Sequence, residues 1–428
     1  MPVFAKEALE FPLPKMVDVK QIIPDEKLDD PYNKVLEEVA KPEVQARLEK
    51  GKTACVLVGS RGIDKLSTVV KGVVDGLKAA GVEPFIIPAM GSHGGGIAER
   101  QRGIIEGYGV TEETMGCPIK ASMEVVQLGT SEHGIPCYVD KYASEADYVI
   151  PVGRVKVHTD FKGPIESGLC KMMVIGIGKH TGCARVHQVG FENFHWAIPE
   201  VAKFNIEHLN VPFGMAMIEN GYDHLCYVEA VPGDKIMERE PELLEMEKNI
   251  LPRLFFDDID VLVVEKIGKN ISGAGMDPNI IGRVAGRKTE YWKVNAPDIK
   301  IIVVYGLTEE SHGSAVGIGM ADFTVKEIMD KIDYEATYAN QIAAVVPMAA
   351  FIPIALDTRE DALRGAIVCA KCPDQSKAKV VWIHDTLELS DIKVSESLLD
   401  YCRNNEHFIV PEDTCGVGIG DESFLNMK

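Results

Sequence analysis

Apolar positions along this chain fall into short unbroken runs that alternate with amphipathic stretches. Ala54–Val58 is such a run and predicts a strand, with Gly59–Ser60–Arg61–Gly62 as a turn at its carboxyl end. Leu66, Val69, Val70, Val73, Val74 and Leu77 then recur at i, i+3, i+4 spacing and predict a helix, with Asp64 as its cap and Gly81 as its stop. Pro84–Ile87 is a second strand and runs into GSHGGG at 91–96. Strand, helix and strand in this order predict a parallel sheet, whose ligand groups gather at the carboxyl ends of the strands. That places the loops 59–62 and 91–96 at a candidate site.

Further along, the pattern predicts a helix from Asn33 to about Leu48, another from Ile97 to about Tyr108, and β structure over Val125–Leu128 and Pro136–Val139. Residues 190–255 hold two helical patterns and an alternating excursion, MAMIENGYDHLCYVEAVPGD. The order of strand, glycine-containing loop, strand and helix restarts at Val261–Val264. It continues through Gly268–Gly275, Ile301–Val304, Val325–Ile332, the apolar run Gln341–Ala355 and the strand Val380–Ile383. The expectation is an α/β protein of two domains with mainly parallel sheets and a cleft between them. Residues 1–256 form a cofactor-bearing catalytic domain, and residues 257–428 close the cleft.

The stretch from Val149 to Gln188 concentrates the chemistry. An apolar run, Tyr148–Val152, leads into His158, Lys171 and His187, interleaved with glycines at 163, 168, 176, 178 and 182. These glycines are too many for an ordinary helix and predict a loop whose bare backbone cradles an anion. Lys171 lies among Leu169, Cys170, Met172, Met173 and Val174. It is either a lysine snorkelling out of a buried helix start or an amine of depressed pKa able to bond to a carbonyl group. Lys179 is a candidate cation for the anion loop. His93, among the glycines of 91–96, is an imidazole at a rim, and Arg61 has the fork geometry that holds a carboxylate or phosphate.

Composition narrows the classes. A formal charge of −20 argues against nucleic acid. No apolar run is long enough to predict a membrane span, and the first residues do not read as a signal peptide. Ten scattered cysteines predict reduced thiols and a cytoplasmic protein. The lone pair Cys369 and Cys372 lacks the partner pair that zinc requires. Neither half shows GxGxxG after its first strand, and there is no Walker sequence or GxSxG elbow.

The order GSHGG, then VHTDFKG, then Lys171, then His187 resembles the nickel-dependent lactate racemase superfamily. In that family a GTHR-like loop carries one catalytic histidine and a PH-containing turn after an apolar strand carries the other. A lysine is joined covalently to a nickel-pincer nucleotide, and a histidine 16 residues further on ligates nickel. The spacing from Lys171 to His187 is also 16. The resemblance implies His93 and His158 as the acid/base pair and Lys171 as the tether. Gly168, Gly176, Gly178 and Lys179 would lie against the cofactor, with His187 as the metal ligand. Ser60 and Arg61 replace the family's Asp-x-x-Arg on the substrate carboxylate. The family's Tyr, Gln and Lys positions in DQNLYQxxK are here Ile281, Gly282 and Ala285. Lys266, Lys269 and Arg283 are the cations left to replace them, and the substrate is a 2-hydroxy acid other than lactate.

The resemblance therefore implies a racemase or epimerase using transient hydride transfer. Its partners are the small-molecule substrate and cofactor-maturation proteins, with no nucleic acid and no membrane; a homo-oligomer is compatible. The alternatives are an enzyme without nickel on the same scaffold, or a protein that binds a nucleotide or metal without turnover.

Overall fold

The computed structural model describes residues 9–60, 62–286, 288–344, 346–412 and 416–419. The chain forms two compact units, Pro24–Leu251 and a second made of Met1–Ile23 with Pro252–Lys428. The sequence places residues 1–23 in the N-terminal domain. Residues 9–23 lie instead with the C-terminal unit, because the first strand β1 (Met16–Gln21) pairs antiparallel with a strand near the chain's end.

The Pro24–Leu251 unit contains β2 (Thr53–Val58), β3 (Glu83–Pro88), the hairpin β4 (Val125–Thr130) and β5 (Pro136–Asp140), and then β6 (Tyr148–Arg154), β7 (Phe213–Glu219) and β8 (Leu225–Pro232). Its main sheet has the order β3-β2-β6-β7-β8, parallel except at the β7–β8 edge. The continuous apolar runs follow from burial of both sheet faces. Alternate residues of β2 serve opposite cores. Cys55 and Leu57 join one that includes Phe161, Leu169 and Phe194, whereas Ala54, Val56 and Val58 join the one formed by the helix Leu66–Ala79. The chemistry-bearing segments thus cover one face of the sheet.

The second unit holds β9 (Asp258–Val264), β10 (Asp298–Val304), β11 (Phe323–Val325), β12 (Ile354–Leu356), β13 (Val380–Ile383), β14 (Asp391–Ser395) and β15 (Phe408–Ile409). Its sheet runs β12-β11-β10-β9-β13-β14-β1-β15, parallel from β12 to β13 and antiparallel thereafter. Among the described residues no helix is long and apolar enough to cross a membrane.

Several local expectations change. The helix predicted over 33–48 is broken into Pro31–Val39 and Pro42–Gln45, because Lys41 before Pro42 is extended, as a residue before proline prefers. Asp64 does not cap the next helix. Its carboxylate accepts from the Leu225 amide, and Lys65 in a left-handed conformation starts the helix. The run Gln341–Ala355 divides between the helix Tyr334–Ala344, a short 3-10 turn and β12.

The largest revision concerns 169–187. The expected anion loop is a nearly continuous helical path: Leu169–Lys171, a π turn over Met172–Gly176, and the helix Lys179–His187. The π turn is closed by Ile177 N–H donating to the Met172 carbonyl at 2.9 Å. Such turns interrupt helices at functional sites.

Candidate functional site

The strand order makes β2 and β6 neighbours whose connections leave in opposite directions, which is where open α/β sheets place ligands. Ser60 follows β2, His93 follows β3 and His158 follows β6, all at carboxyl ends. Ser60 Oγ lies 2.5 Å from His93 Nδ1, joining two of these loops directly. The His93 loop turns through Gly94 and Gly95 at φ 65° and 68°, a left-handed region that favours glycine. It is braced from below by buried Gln101, whose Nε2 donates to the carbonyls of Gly91 and His93 at 2.9 Å each. The imidazole is exposed on a braced backbone.

His158 is held from several sides. Its amide donates to Glu166 Oε2 at 2.6 Å, and buried Lys162 donates to its carbonyl. Its Nδ1 accepts the Asp160 amide at 3.0 Å, which places the proton of the neutral ring on Nε2. Lys162 also pairs with Glu166 at 3.3 Å, and burial raises the Glu166 carboxyl above its ordinary value against the pull of Lys162.

Two phenylalanines tie the later segments together. The His158 ring lies tilted against Phe161 at 4.4 Å, and Phe161 meets Phe194 at 5.1 Å. Phe194 meets the His187 ring edge-on at 5.2 Å, and Lys171 Nζ lies 5.6 Å over Phe161. The Lys171 charge is near enough to His187 to push its imidazole pKa down. His158, Lys171 and His187 therefore surround one aromatic cluster. The His93 loop abuts the same helix, with Ser92 Oγ 3.9 Å from Cys183 Sγ.

His187 ends the Lys179–His187 helix, exposed but with its Nδ1 edge turned inward. Nδ1 donates to the Cys183 carbonyl at 2.7 Å, and Cys183 Sγ lies 3.4 Å away. Burial lowers the imidazole pKa, but the Cys183 thiol and carbonyl outweigh it and hold it above the usual value. A backbone acceptor on Nδ1 fixes the tautomer that leaves Nε2 with its lone pair, the arrangement found in metal-ligating histidines.

Other expected site residues have different duties. Gly168 is buried and leaves room for the Glu240 carboxylate, which a Cβ there would strike. A Cβ at Gly176 would come within 2.7 Å of the Ala89 carbonyl, and one at Gly178 within 2.6 Å of the Val174 carbonyl. All three positions admit close packing inside the protein, which accounts for glycine there.

Lys179 also has partners inside the protein. It is fully buried, donates to the Pro88 carbonyl and lies 3.0 Å from the buried Asp140. Burial pushes the Asp140 carboxyl up, with Lys179 opposing. Lys179→Met leaves that carboxylate unpaired and is expected to cost about 3–5 kcal/mol. Denaturant unfolding checks this, and adding Asp140→Asn to the same chain should recover part of the loss.

Arg283 bonds Asp322 Oδ2 at 2.6 Å and the Lys300 carbonyl at 2.7 Å, so its guanidinium is engaged in holding its own unit together rather than free for a substrate. Lys269 donates to Asn340 at 2.7 Å, and desolvation lowers its pKa. Arg61 lies outside the described residues.

Among the described residues, three metal-type side chains gather only at His384, Asp385 and Glu388. There Asp385 Oδ1 already accepts the amides of Leu387 and Glu388. Cys369 and Cys372 are free thiols, and burial pushes Cys372 up to about 11.

Sequence reading missed the acids beneath the site, Glu166, Glu240 and Glu247, which are buried at 1%, 1% and 3% exposure. Glu240 and Glu247 sit in the highly charged segment MEREPELLEMEK, which reads as a solvated helix surface and carries no signal of burial.

The fold is of the α/β class with mainly parallel sheets. Residues 4–196 match the lactate racemase N-terminal domain family. No curated protein matches this chain. Among solved structures, the lactate racemase apoprotein from Thermoanaerobacterium thermosaccharolyticum is similar at 14% identity, over 87% of this chain and 99% of that one, with a TM-score of 0.51. At that identity the likeness is one of fold. A protein from Thermotoga maritima aligns at 13% identity over 75% of this chain and 83% of its own, with a TM-score of 0.48.

Proposed function

We propose that this protein is a racemase or epimerase of a 2-hydroxy acid, working with a nickel-pincer nucleotide tethered at Lys171. The observation that carries the reading is the grouping of His158, Lys171 and His187 around one aromatic cluster, with the His93 loop against the same helix. The residues present fit the group. The His187 tautomer leaves Nε2 for a metal, and Lys171 lies close enough to act on that ring. A lone imidazole holds nickel only when the other donors arrive with the incoming group, and imidazole suits nickel as a ligand.

When bound, the group supplies an acceptor for the hydride that leaves C2. The chain's own residues handle the proton and the position of the substrate. One imidazole takes the hydroxyl proton while C2 becomes planar, and a second returns it for the opposite hand. His93 and His158 are suited to this because imidazole exchanges protons near neutral pH. Both start from braced backbones, and orientation supplies much of such a rate. Ser60 bonds the His93 ring and orients it. Ile281, Gly282 and Ala285, where the family has Tyr, Gln and Lys, support a substrate other than lactate. Arg61 remains a candidate partner for its carboxylate, and loading requires maturation proteins.

The test is a panel of single-enantiomer 2-hydroxy and sugar acids, given to protein produced together with the cofactor-synthesis proteins. Loss of optical activity with the C2 deuterium retained is the expected result. Wash-out of that label into water contradicts hydride return. Borohydride-trappable carbonyl adducts at Lys171 without nickel favour a Schiff-base enzyme instead.

A further inference from the structure

The helix Ile236–Ile250 contributes nothing to the reaction just described, yet two of its acids reach both segments that carry it. Glu240 and Glu247 are seven residues apart and so share one helix face, about 10 Å apart along the axis. Glu240 Oε2 accepts the Cys170 amide at 2.9 Å, immediately before Lys171. Glu247 Oε2 accepts the Val157 amide at 3.3 Å, immediately before His158.

Two features argue that these acids do more than hold the fold. A buried carboxylate that accepts little more than an amide is costly, and an apolar side chain of similar size would stabilise such a helix better. Glu240 Oε1 is buried with no hydrogen-bond partner. In addition, Gly168 gives up its side chain for the Glu240 carboxylate. Burial pushes both carboxyls up to about 7. A neutral carboxyl still accepts an N–H through its carbonyl oxygen, so glutamine can replace either acid in this role.

We propose that the helix Ile236–Ile250 is a spacer that sets the distance between the His158 imidazole and the Lys171 amine, with Glu240 and Glu247 as positioning residues. The proposal rests on the roles given to His158 and Lys171 above. Its test is amide hydrogen exchange in the full-length apoprotein, which needs neither nickel nor substrate, followed by kinetics of the loaded enzyme.

Glu240→Ala is expected to speed exchange at Cys170 at least tenfold and leave Val157 unchanged; Glu247→Ala should do the reverse. In loaded enzyme each alanine variant should lower kcat at least tenfold with KM within twofold, and Glu240→Gln and Glu247→Gln should recover most of both readouts. Exchange rising at both amides in either alanine variant, or at neither, overturns the proposal. So does a glutamine variant as impaired as the alanine. If wild-type loaded enzyme racemises nothing, the roles of His158 and Lys171 fall, while the exchange pattern still decides whether the helix holds the two segments.

Discussion

Replacing His158 with alanine is expected to lower racemisation by about 10²–10⁴-fold, the usual contribution of a positioned acid or base. The same loss is expected for His93→Ala. Racemisation needs a proton taken on one face and returned on the other, so losing either imidazole breaks the cycle in both directions. Fold should survive both changes. His93 is exposed, and the contacts from His158 to buried Glu166 and Lys162 run through its backbone amide and carbonyl, which alanine keeps. Nickel content and the mass of the Lys171 peptide should also be unchanged, which separates lost proton transfer from lost cofactor. Polarimetry on both enantiomers makes the measurement. Full activity in either variant removes that histidine from the reaction.

The second large effect is on stability against pH. Burial raises the Glu240 and Glu247 carboxyls to about 7, whereas in the unfolded chain a glutamate titrates near its ordinary value of about 4.3. Between those values the native state holds more protons than the unfolded state, so these acids make stability fall as pH rises. The loss starts above the unfolded value and is complete above the folded one. Each shift corresponds to about 3–4 kcal/mol. Glu247 is moderated by Lys156 and Arg154 and pushed further up by Glu166, and Glu240 faces Cys170.

Other carboxylates, such as Asp147 beside Lys52 and Thr53, are held below their usual range and act in the opposite sense. The observable is therefore the difference between variant and wild type. Glu240→Gln and Glu247→Gln should each gain stability relative to wild type between pH 5 and pH 8, by urea unfolding at several pH values. Parallel pH curves for variant and wild type contradict the burial of those charges.

Much of the site was legible because its residues sit where strand patterns end. The apolar runs Ala54–Val58, Pro84–Ile87 and Tyr148–Val152 all appear as parallel strands of one sheet, and Ser60, His93 and His158 follow from them. What sequence could not convey was the meaning of glycine. Gly168, Gly176 and Gly178 look the same whether backbone approaches a ligand or another part of the chain, and here they admit Glu240, Ala89 and Val174. The burial of Lys179 was hidden for a related reason. Its partner Asp140 is 39 residues away in sequence, beyond the reach of any local pattern. Residues 9–23 belong to the C-terminal unit through pairing between β1 and β14, which spacing along the chain cannot reveal.

The most direct measurement is the intact mass and metal content of protein produced together with nickel-cofactor synthesis proteins, with the modified peptide mapped. The account predicts a covalent adduct on Lys171 and one nickel per chain. Lys171→Arg should lose both, and His187→Ala should keep the adduct while losing most of the nickel. An unmodified Lys171 in protein free of nickel, from cells that demonstrably load a lactate racemase, contradicts it.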